Sequence, residues 1–346
     1  MSRLIITSIG PASSIQDRGR PGSQRYGLTP GGAMDRLALA AANCLVGNEL
    51  FAAGVEIGPF SASFAARDGA ARVAVTGALR NANIGGRPVM LERSVTLKDG
   101  ETLTLGFARA GVFSYLAVEG GIKGEPVFGS LAVNARAGLG SPYPRPLQAG
   151  DELGVEAARG TPELRIELPQ PASGPIRVVL GPQDDEFDET NKALFLNSEW
   201  KVSASSDRMG YRLEGPIIRH LHGHNIVSDG TVNGSIQVLG NGAPIVLMTD
   251  RGTSGGYPKI ATVISADLGR FAQISADSMV RFEAVSMFDA QEEARKFAQT
   301  LRELPGRLRP AGTAEFNIEA LQAANIAGSA ISAVDTITWD RPVDTA

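Results

Sequence analysis

Cysteine is almost missing from this chain of 346 residues: Cys44 stands alone, which excludes an internal disulfide and fits a buried thiol in a reducing compartment. Long apolar runs are missing too. No stretch reaches the roughly 20 residues a membrane helix needs, and MSRLIITSIGPAS has neither a signal-type apolar region nor a small-residue cleavage site. A soluble, cytoplasmic protein is therefore expected. Neither sign of charge dominates, since 33 Lys and Arg face 37 Asp and Glu without a long run of either. That balance argues against nucleic acid or an anionic membrane as partner. The phosphate-loop pattern G-x-x-x-x-G-K-[ST] does not occur, nor does a Met-Lys dipeptide of the biotin-carrier kind. Any nucleotide or biotin must then be supplied or shared by partner chains.

Histidine is scarce as well: all three stand in HLHGH, as His220, His222 and His224. On a strand the three would share a face, with the outer pair about 13 Å apart, too far for all to grip one ion comfortably. No other zinc pattern accompanies them. A pH-responsive surface or a fortuitous cluster is the alternative to a metal site, and no metal is expected.

Glycine and proline, by contrast, are plentiful at 41 and 20 residues, and they separate many short apolar runs. Leu4–Thr7, Arg72–Thr76, Thr102–Gly106, Val112–Val118, Ile176–Leu180, Pro244–Met248, Ile260–Ile264 and Met279–Val285 read as strands. Their spacing predicts a mainly β protein of sandwich or barrel type with a few helices. One helix is expected over Asp35–Val46, whose Leu37, Ala41, Cys44 and Leu45 share a face, and a second over Asp289–Leu304, with Asp289 and Glu292 at capping-box spacing. A weaker helix is expected over Asn317–Ala330. The length suits two domains. LPQPASGP at 168–175 is the best linker, giving a first β-barrel domain over 1–170, a second over 171–288 and a helical extension over 289–346.

Two polar stretches interrupt this scaffold. Residues 11–34, PASSIQDRGRPGSQRYGLTPGGAM, form an unusually long loop leading into the first helix, and carry Gln16, Asp17, Arg18, Arg20, Gln24 and Arg25 between turn formers. DRGTSGGYPK at 250–259 lies between two apolar runs and offers Asp250, Arg251, Thr253, Ser254, Tyr257 and Lys259. Each is either a binding loop or a solvated connection. Gly252–Gly256 fits G-x-S-x-G, but Pro258 and a β-branched run follow where a nucleophile elbow requires a helix, so Ser254 is not taken as a nucleophile. Gln183, Asp184, Asp185 and Glu186 after a strand suit a turn with helix caps better than a metal cage.

Taken in order, SIQDRGRPGSQRYGL, GGAMDRLALAAANCLVGN, VTGA, YLAVEGGI, VFGS, GPQDDEF, SDRMGYRLEGP, GSIQV and PIVLMTDRGTSGGYPKIATVISADLGR resemble the biotin-dependent carboxyltransferase, or allophanate hydrolase subunit 2, family over roughly residues 3–285. That family includes one of the subunits of 5-oxoprolinase and the carboxyltransferase region of urea carboxylase. The sequence departs from it at Ser23 and Arg25, where Tyr and His are common, near Leu239 and Gly240, where two prolines are common, and at Gly252, where Gln is common. The resemblance implies two cyclophilin-like β-barrel domains. It also implies a subunit of an ATP-dependent 5-oxoprolinase, which works with a smaller homologous subunit, and with a further catalytic subunit, on a small amide substrate. The alternatives are a carboxyltransferase moving CO2 from biotin on a partner chain to a urea- or amide-type nitrogen, or a non-catalytic antagonist of a kinase inhibitor.

Both enzyme readings need cations near a developing oxyanion and a group that moves a proton. Arg251 and Lys259, with Tyr257 and Asp250, are the catalytic candidates. Arg20, Gln16, Asp17, Gln237 and Thr253 are the candidates for substrate binding, and turn or barrel-end hydrogen bonding is the alternative for each.

Overall fold

The β-branched runs between glycine-rich turns do form strands. In the computed structural model, which describes residues 2–312, two large sheets carry nearly all of them. The helix expected over 317–330 and the polar tail lie outside the described residues. Met1–Pro310 holds together as one unit.

The first sheet has nine strands and curls into a half-barrel, following the path Ser14–Gln16, Gly54–Ile57, Thr102–Val118, Ala62–Arg67, Ser2–Ile9 and Glu152–Val155. Ala71–Ile84 pairs antiparallel with Thr102–Val118 along most of its length, with register shifts between Gly77 and Ala82. The sequence predicts two strands where the 17-residue Thr102–Val118 runs as one. Residues 107–111 are partly exposed and interrupt the apolar pattern, but their backbone stays in the ladder through those shifts. Leu4, Ile6, Phe64, Val73 and Leu103 fill the interior of this half.

The second sheet has eight strands and nearly closes into a barrel. At one end Met279–Val280 pairs with Trp200–Val202; at the other Phe282–Ala284 pairs in parallel with Ile176–Leu180. These two pieces are separated only by Arg281, so one chain segment serves both ends of the sheet. Inside, Phe195 stacks on Phe282 at 5.0 Å, and the fully buried Trp200 donates Nε1–H to Phe195 O at 3.0 Å. Burying one such ring contributes about 1.5–3 kcal/mol, which is why these few aromatics dominate this core.

Helix α1, Arg36–Leu45, connects the two halves. Asp35 Oδ1 caps it by accepting from Ala38 N at 3.1 Å. Residues 38–45 are all buried, and Ala38, Leu39, Ala40, Ala42, Cys44 and Leu45 share one cluster with Tyr115 of the first sheet and Tyr211 and Phe271 of the second half. Gln273 adds polar stitching: its Nε2 donates to Asp35 Oδ2 at 2.9 Å and its Oε1 accepts from Val112 N and Phe113 N. Cys44 is buried and unpaired, and burial raises its pKa.

Helix α2 spans Glu189–Asn197 and helix α3 Leu268–Ala272. Helix α4, Met287–Glu303, starts two residues earlier than the sequence predicts, because Ser286 rather than Asp289 is the cap: Ser286 Oγ accepts from Asp289 N and donates to Asp289 Oδ2. A 3-10 turn containing Pro305 ends it. No helix among the described residues is long and apolar enough to cross a membrane.

Candidate functional site

The 11–34 segment is ordered by its own backbone. Ser14–Gln16 joins the first sheet and Ser23–Tyr26 forms a 3-10 turn, so the expected structureless loop contains two short elements. Arg20 N donates to Pro30 O at 2.7 Å and Ala33 N to Asp17 O at 2.9 Å, closing residues 20–30 into a loop on a narrow stem. Gly19 makes the stem possible: its φ is +79°, and a Cβ there would lie 2.5 Å from Pro30 O.

The three substrate-binding candidates on this stretch face inward. Asp17 accepts from Gly19 N, Ser130 Oγ and Leu131 N. Gln16 Nε2 donates to Ser14 Oγ and Val133 O, while its Oε1 is buried without a partner. Arg20, 1% exposed, donates to Val127 O and Ala132 O and keeps a buried Nη1 without a partner. Burial lowers the Arg20 pKa against the charges of Asp17 and Asp250.

This segment meets the 250–259 loop directly. Gln24 Nε2 donates to Thr231 O at 2.8 Å and Thr253 O at 3.1 Å, its Oε1 accepts from Arg251 Nη2 at 3.1 Å, and Thr29 Oγ1 donates to Thr249 O at 2.8 Å. Arg251 is 5% exposed and its Nε is buried without a hydrogen-bond partner. Its pKa is lowered by burial, with Asp250 opposing. Thr253 contributes its carbonyl to this junction.

Asp250 is committed elsewhere. Both of its oxygens accept from Arg208, at 2.8 and 3.0 Å, and Arg208 also donates to Gly32 O at 2.9 Å and to Glu56 Oε1. Glu56 in turn accepts from Met34 N at 2.9 Å and from Tyr115 OH at 2.7 Å. Burial alone would lower the Arg208 pKa; the charges of Asp250 and Glu56 outweigh it and raise the pKa. Burial, then Glu56 and Asp35, push the Tyr115 hydroxyl well above its ordinary range. One guanidinium thus fastens the 250 turn to the first sheet.

A second polar cluster lies at the other end of the loop. Lys259, 1% exposed, donates from Nζ to Asp229 Oδ2 at 3.0 Å, and Gln183 Nε2 donates to the same oxygen at 3.0 Å. The Lys259 bond, then that of Gln183, hold the Asp229 carboxyl below the usual range. Gln237 Nε2 donates to Tyr257 O at 3.2 Å, and His224 stacks on the Tyr257 ring at 6.5 Å. Ser254–Gly255, which pairs with Asp229–Gly230, stands between Arg251 and Lys259 in sequence. Ser254 is therefore on a short strand followed by the strand Lys259–Val263, with no helix behind it. The histidines do not lie on a strand: His220 contacts Val238 O, while His222 faces Glu186. Among the described residues no group of three His, Cys, Asp or Glu side chains is placed to hold a metal.

Where the two segments meet, a cavity of about 450 Å³ opens, lined by Arg18, Arg36 and Arg251 together with Asn233, Thr249 and Phe51. No carboxylate lines it, and the buried Asn233 Oδ1 lacks a partner. Arg36 lies over the Phe51 ring at 4.8 Å, and its pKa is lowered by burial and by the charge of Arg18. Sequence reasoning named Arg18 and Gln24 as polar loop residues but did not single out Arg36, Asn233, Glu56, Tyr115 or Arg208. The one signal available was the run of arginines from 18 to 36, which α1 brings to the second half.

Residues 26–284 match the family described as "Carboxyltransferase domain, subdomain A and B". A protein of Escherichia coli (strain K12) named as a subunit of 5-oxoprolinase is 37% identical over 303 residues, covering 86% of this chain and 97% of that protein. The Haemophilus influenzae protein of the same name is 35% identical, covering 84% and 94%. Among solved structures, K. lactis urea amidolyase superposes with a TM-score of 0.81 at 25% identity over 87% of this chain; the chain spans only 20% of that much longer protein. Because residues 26–284 make up well over half of its length, the chain belongs to the carboxyltransferase-domain family, subdomains A and B.

Proposed function

We propose that the chain is one subunit of a heteromeric, ATP-dependent 5-oxoprolinase of the cytoplasm that opens the lactam of 5-oxoproline to glutamate. The observation that carries this is the 37% identity, across 97% of its length, to a protein named as a 5-oxoprolinase subunit. The junction supports it chemically. Activation and water attack at a lactam carbonyl concentrate negative charge on its oxygen and on the phosphoryl group it bears, and a guanidinium in the lining of the cavity is suited to receive that charge. Arg251 is that group. Lys259 and Tyr257 are the candidates to hold or move a proton, and Asp250, clamped by Arg208, positions the backbone of Arg251. Gln237 and Thr253 shape the loop between these clusters through Tyr257 O and Gln24.

The donor set of the cavity, three guanidiniums without a lining carboxylate, fits phosphoryl oxygens, and Arg18, Arg36 and Arg251 are the residues that would hold them. ATP, when bound in the assembly, would supply the phosphoryl group that activates the lactam carbonyl towards water, after which the ring C–N bond breaks with the nitrogen leaving as the amine and phosphate is released from the new carboxyl. A second reading, transfer of CO2 from biotin on a partner chain to an amide nitrogen, is favoured by the likeness to urea amidolyase.

Assaying the chain with its partner subunits on 5-oxoproline and ATP, with and without bicarbonate and avidin, separates the two. Glutamate formation insensitive to avidin is expected. Activity that requires bicarbonate and is abolished by avidin would replace the first reading by the second. Within an active complex, Arg251→Ala should cut turnover by roughly a hundredfold or more, the size typical for removing one oxyanion donor.

A further inference from the structure

We propose that the arginine-lined cavity is an oxyanion subsite, which takes a carboxylate or phosphate on Arg251 and closes Arg18 and Arg36 around it. This deepens the reading above and rests on its placement of the active site at the same junction.

Three observations converge. The lining holds three guanidiniums from separate segments and no carboxylate. The nearby acids are occupied: Asp250 by Arg208, Asp17 by Ser130 and two backbone amides, and Asp35 by Ala38 N and Gln273. Among the described residues neither Arg18 nor Arg36 is paired with any carboxylate, and the charge of Arg18 works against that of Arg36. Like charges held together without counterions are unfavourable unless an anion joins them. Finally, Arg251 is nine-tenths buried in the lining, and its Nη2 is held by Gln24 Oε1 and Thr231 O, so its charge is fixed at the cavity wall without a carboxylate partner of its own in that lining.

The rest of the lining limits what accompanies the anion. Pro21, Pro30, Ala33 and Phe51 give apolar walls, and about 450 Å³ admits a small ring rather than a polymer. A guanidinium accepts carboxylate and phosphate alike in a forked, two-bond geometry, so the shared chemistry is a compact oxyanion on a small apolar body. Two sources offer it: the carboxylate of a lactam acid and a phosphoryl group.

Calorimetric titration of the full-length chain with inorganic phosphate, with 5-oxoproline and with 2-pyrrolidinone, the same lactam without a carboxylate, tests this. Binding of phosphate or 5-oxoproline is expected, weakening with added salt, with 2-pyrrolidinone silent. Arg18→Gln and Arg36→Gln, both exposed positions whose loss leaves the core intact, should each weaken that binding by roughly tenfold, with Arg36→Lys recovering part of it. Phosphate alone binding identifies the phosphoryl source; 5-oxoproline alone identifies the carboxylate; competition between them assigns both to one subsite.

Equal binding of 2-pyrrolidinone and 5-oxoproline, binding indifferent to both glutamine variants, or no heat from either anion would overturn the proposal. The activity assay answers separately. Glutamate formation by a complex whose subunit binds no anion would sink the subsite and leave the oxoprolinase reading standing, whereas arginine-dependent anion binding in an inactive complex would do the reverse.

Discussion

Arg208 is the residue on which the geometry of the site depends, although it lines no part of the arginine cavity. It is buried between Glu56 of the first sheet and Asp250 of the second half, with a backbone carbonyl completing its bonds. Removing one member of such a set leaves a buried charge without its counterion, so Arg208→Ala should lower stability by about 3–5 kcal/mol, read from the urea midpoint. Glu56→Gln, which keeps the shape and loses the charge, should cost less than that. If Arg208→Ala unfolds at the wild-type midpoint, the clamp is not structural.

Asp267 gives a residue-scale prediction with a pH sign. Burial works to raise its pKa, but bonds from Arg177 and Arg270 outweigh it and hold the folded value below the ordinary 3.8. A depressed carboxyl stabilises the fold above its unfolded pKa and loses that contribution as pH falls from about 3.8 through the folded value. Asp267→Asn should therefore lower stability at neutral pH and flatten the acid limb of stability against pH. An unchanged acid limb would contradict the assignment. At this scale the sequence was half legible. Arg251 and Lys259 stand in a loop whose composition advertises chemistry, whereas Glu56, Tyr115 and Arg208 acquire their partners only through tertiary structure, across separations of up to 152 residues.

At the scale of elements, periodicity located the strands well because most bury an apolar face, alternating with more exposed positions in Ser2–Ile9 and nearly continuous in Lys259–Val263, and the runs end at turn-forming residues. It failed where an element is too short or too irregular to carry a period. Ser14–Gln16 has three residues, and Thr102–Val118 passes through an exposed stretch that breaks its pattern. The start of α4 was misplaced because Asp289, three residues from Glu292, imitates the cap that Ser286 Oγ makes with Asp289 N. The loop stem yields a prediction of its own. Gly19→Ala forces a side chain into a positive-φ position against Pro30 O and should cost roughly 1–3 kcal/mol of stability. Because Arg18 and Arg20 flank that residue, its complex should also lose turnover per folded molecule. Gly22→Ala, equally left-handed but with open space around its Cβ, is the control and should strain the backbone without displacing the other leg of the stem.

At the scale of the molecule, α1 and Gln273 join one face of the first sheet to the core of the second half, while the interior of the first sheet keeps a cluster of its own, and the cavity draws its lining from both halves. A rigid junction of this kind holds its arginines in place but brings no phosphate loop and no biotin-bearing lysine motif to the reaction. On the oxoprolinase reading proposed above, partner chains would supply or share the nucleotide, and relatives aligned along nearly their full length are named as subunits. We therefore predict a stable complex with a smaller homologous subunit, formed on co-expression and eluting as one species at micromolar concentration. Separate elution of the two chains would refute it. If the complex forms, Arg251→Ala should leave its elution unchanged while removing turnover, because Arg251 is 5% exposed and is bonded to Gln24 and Thr231 of its own chain. Loss of assembly in that variant would instead mean that the partner docks across the cavity mouth, and the site would then be completed only between the two subunits.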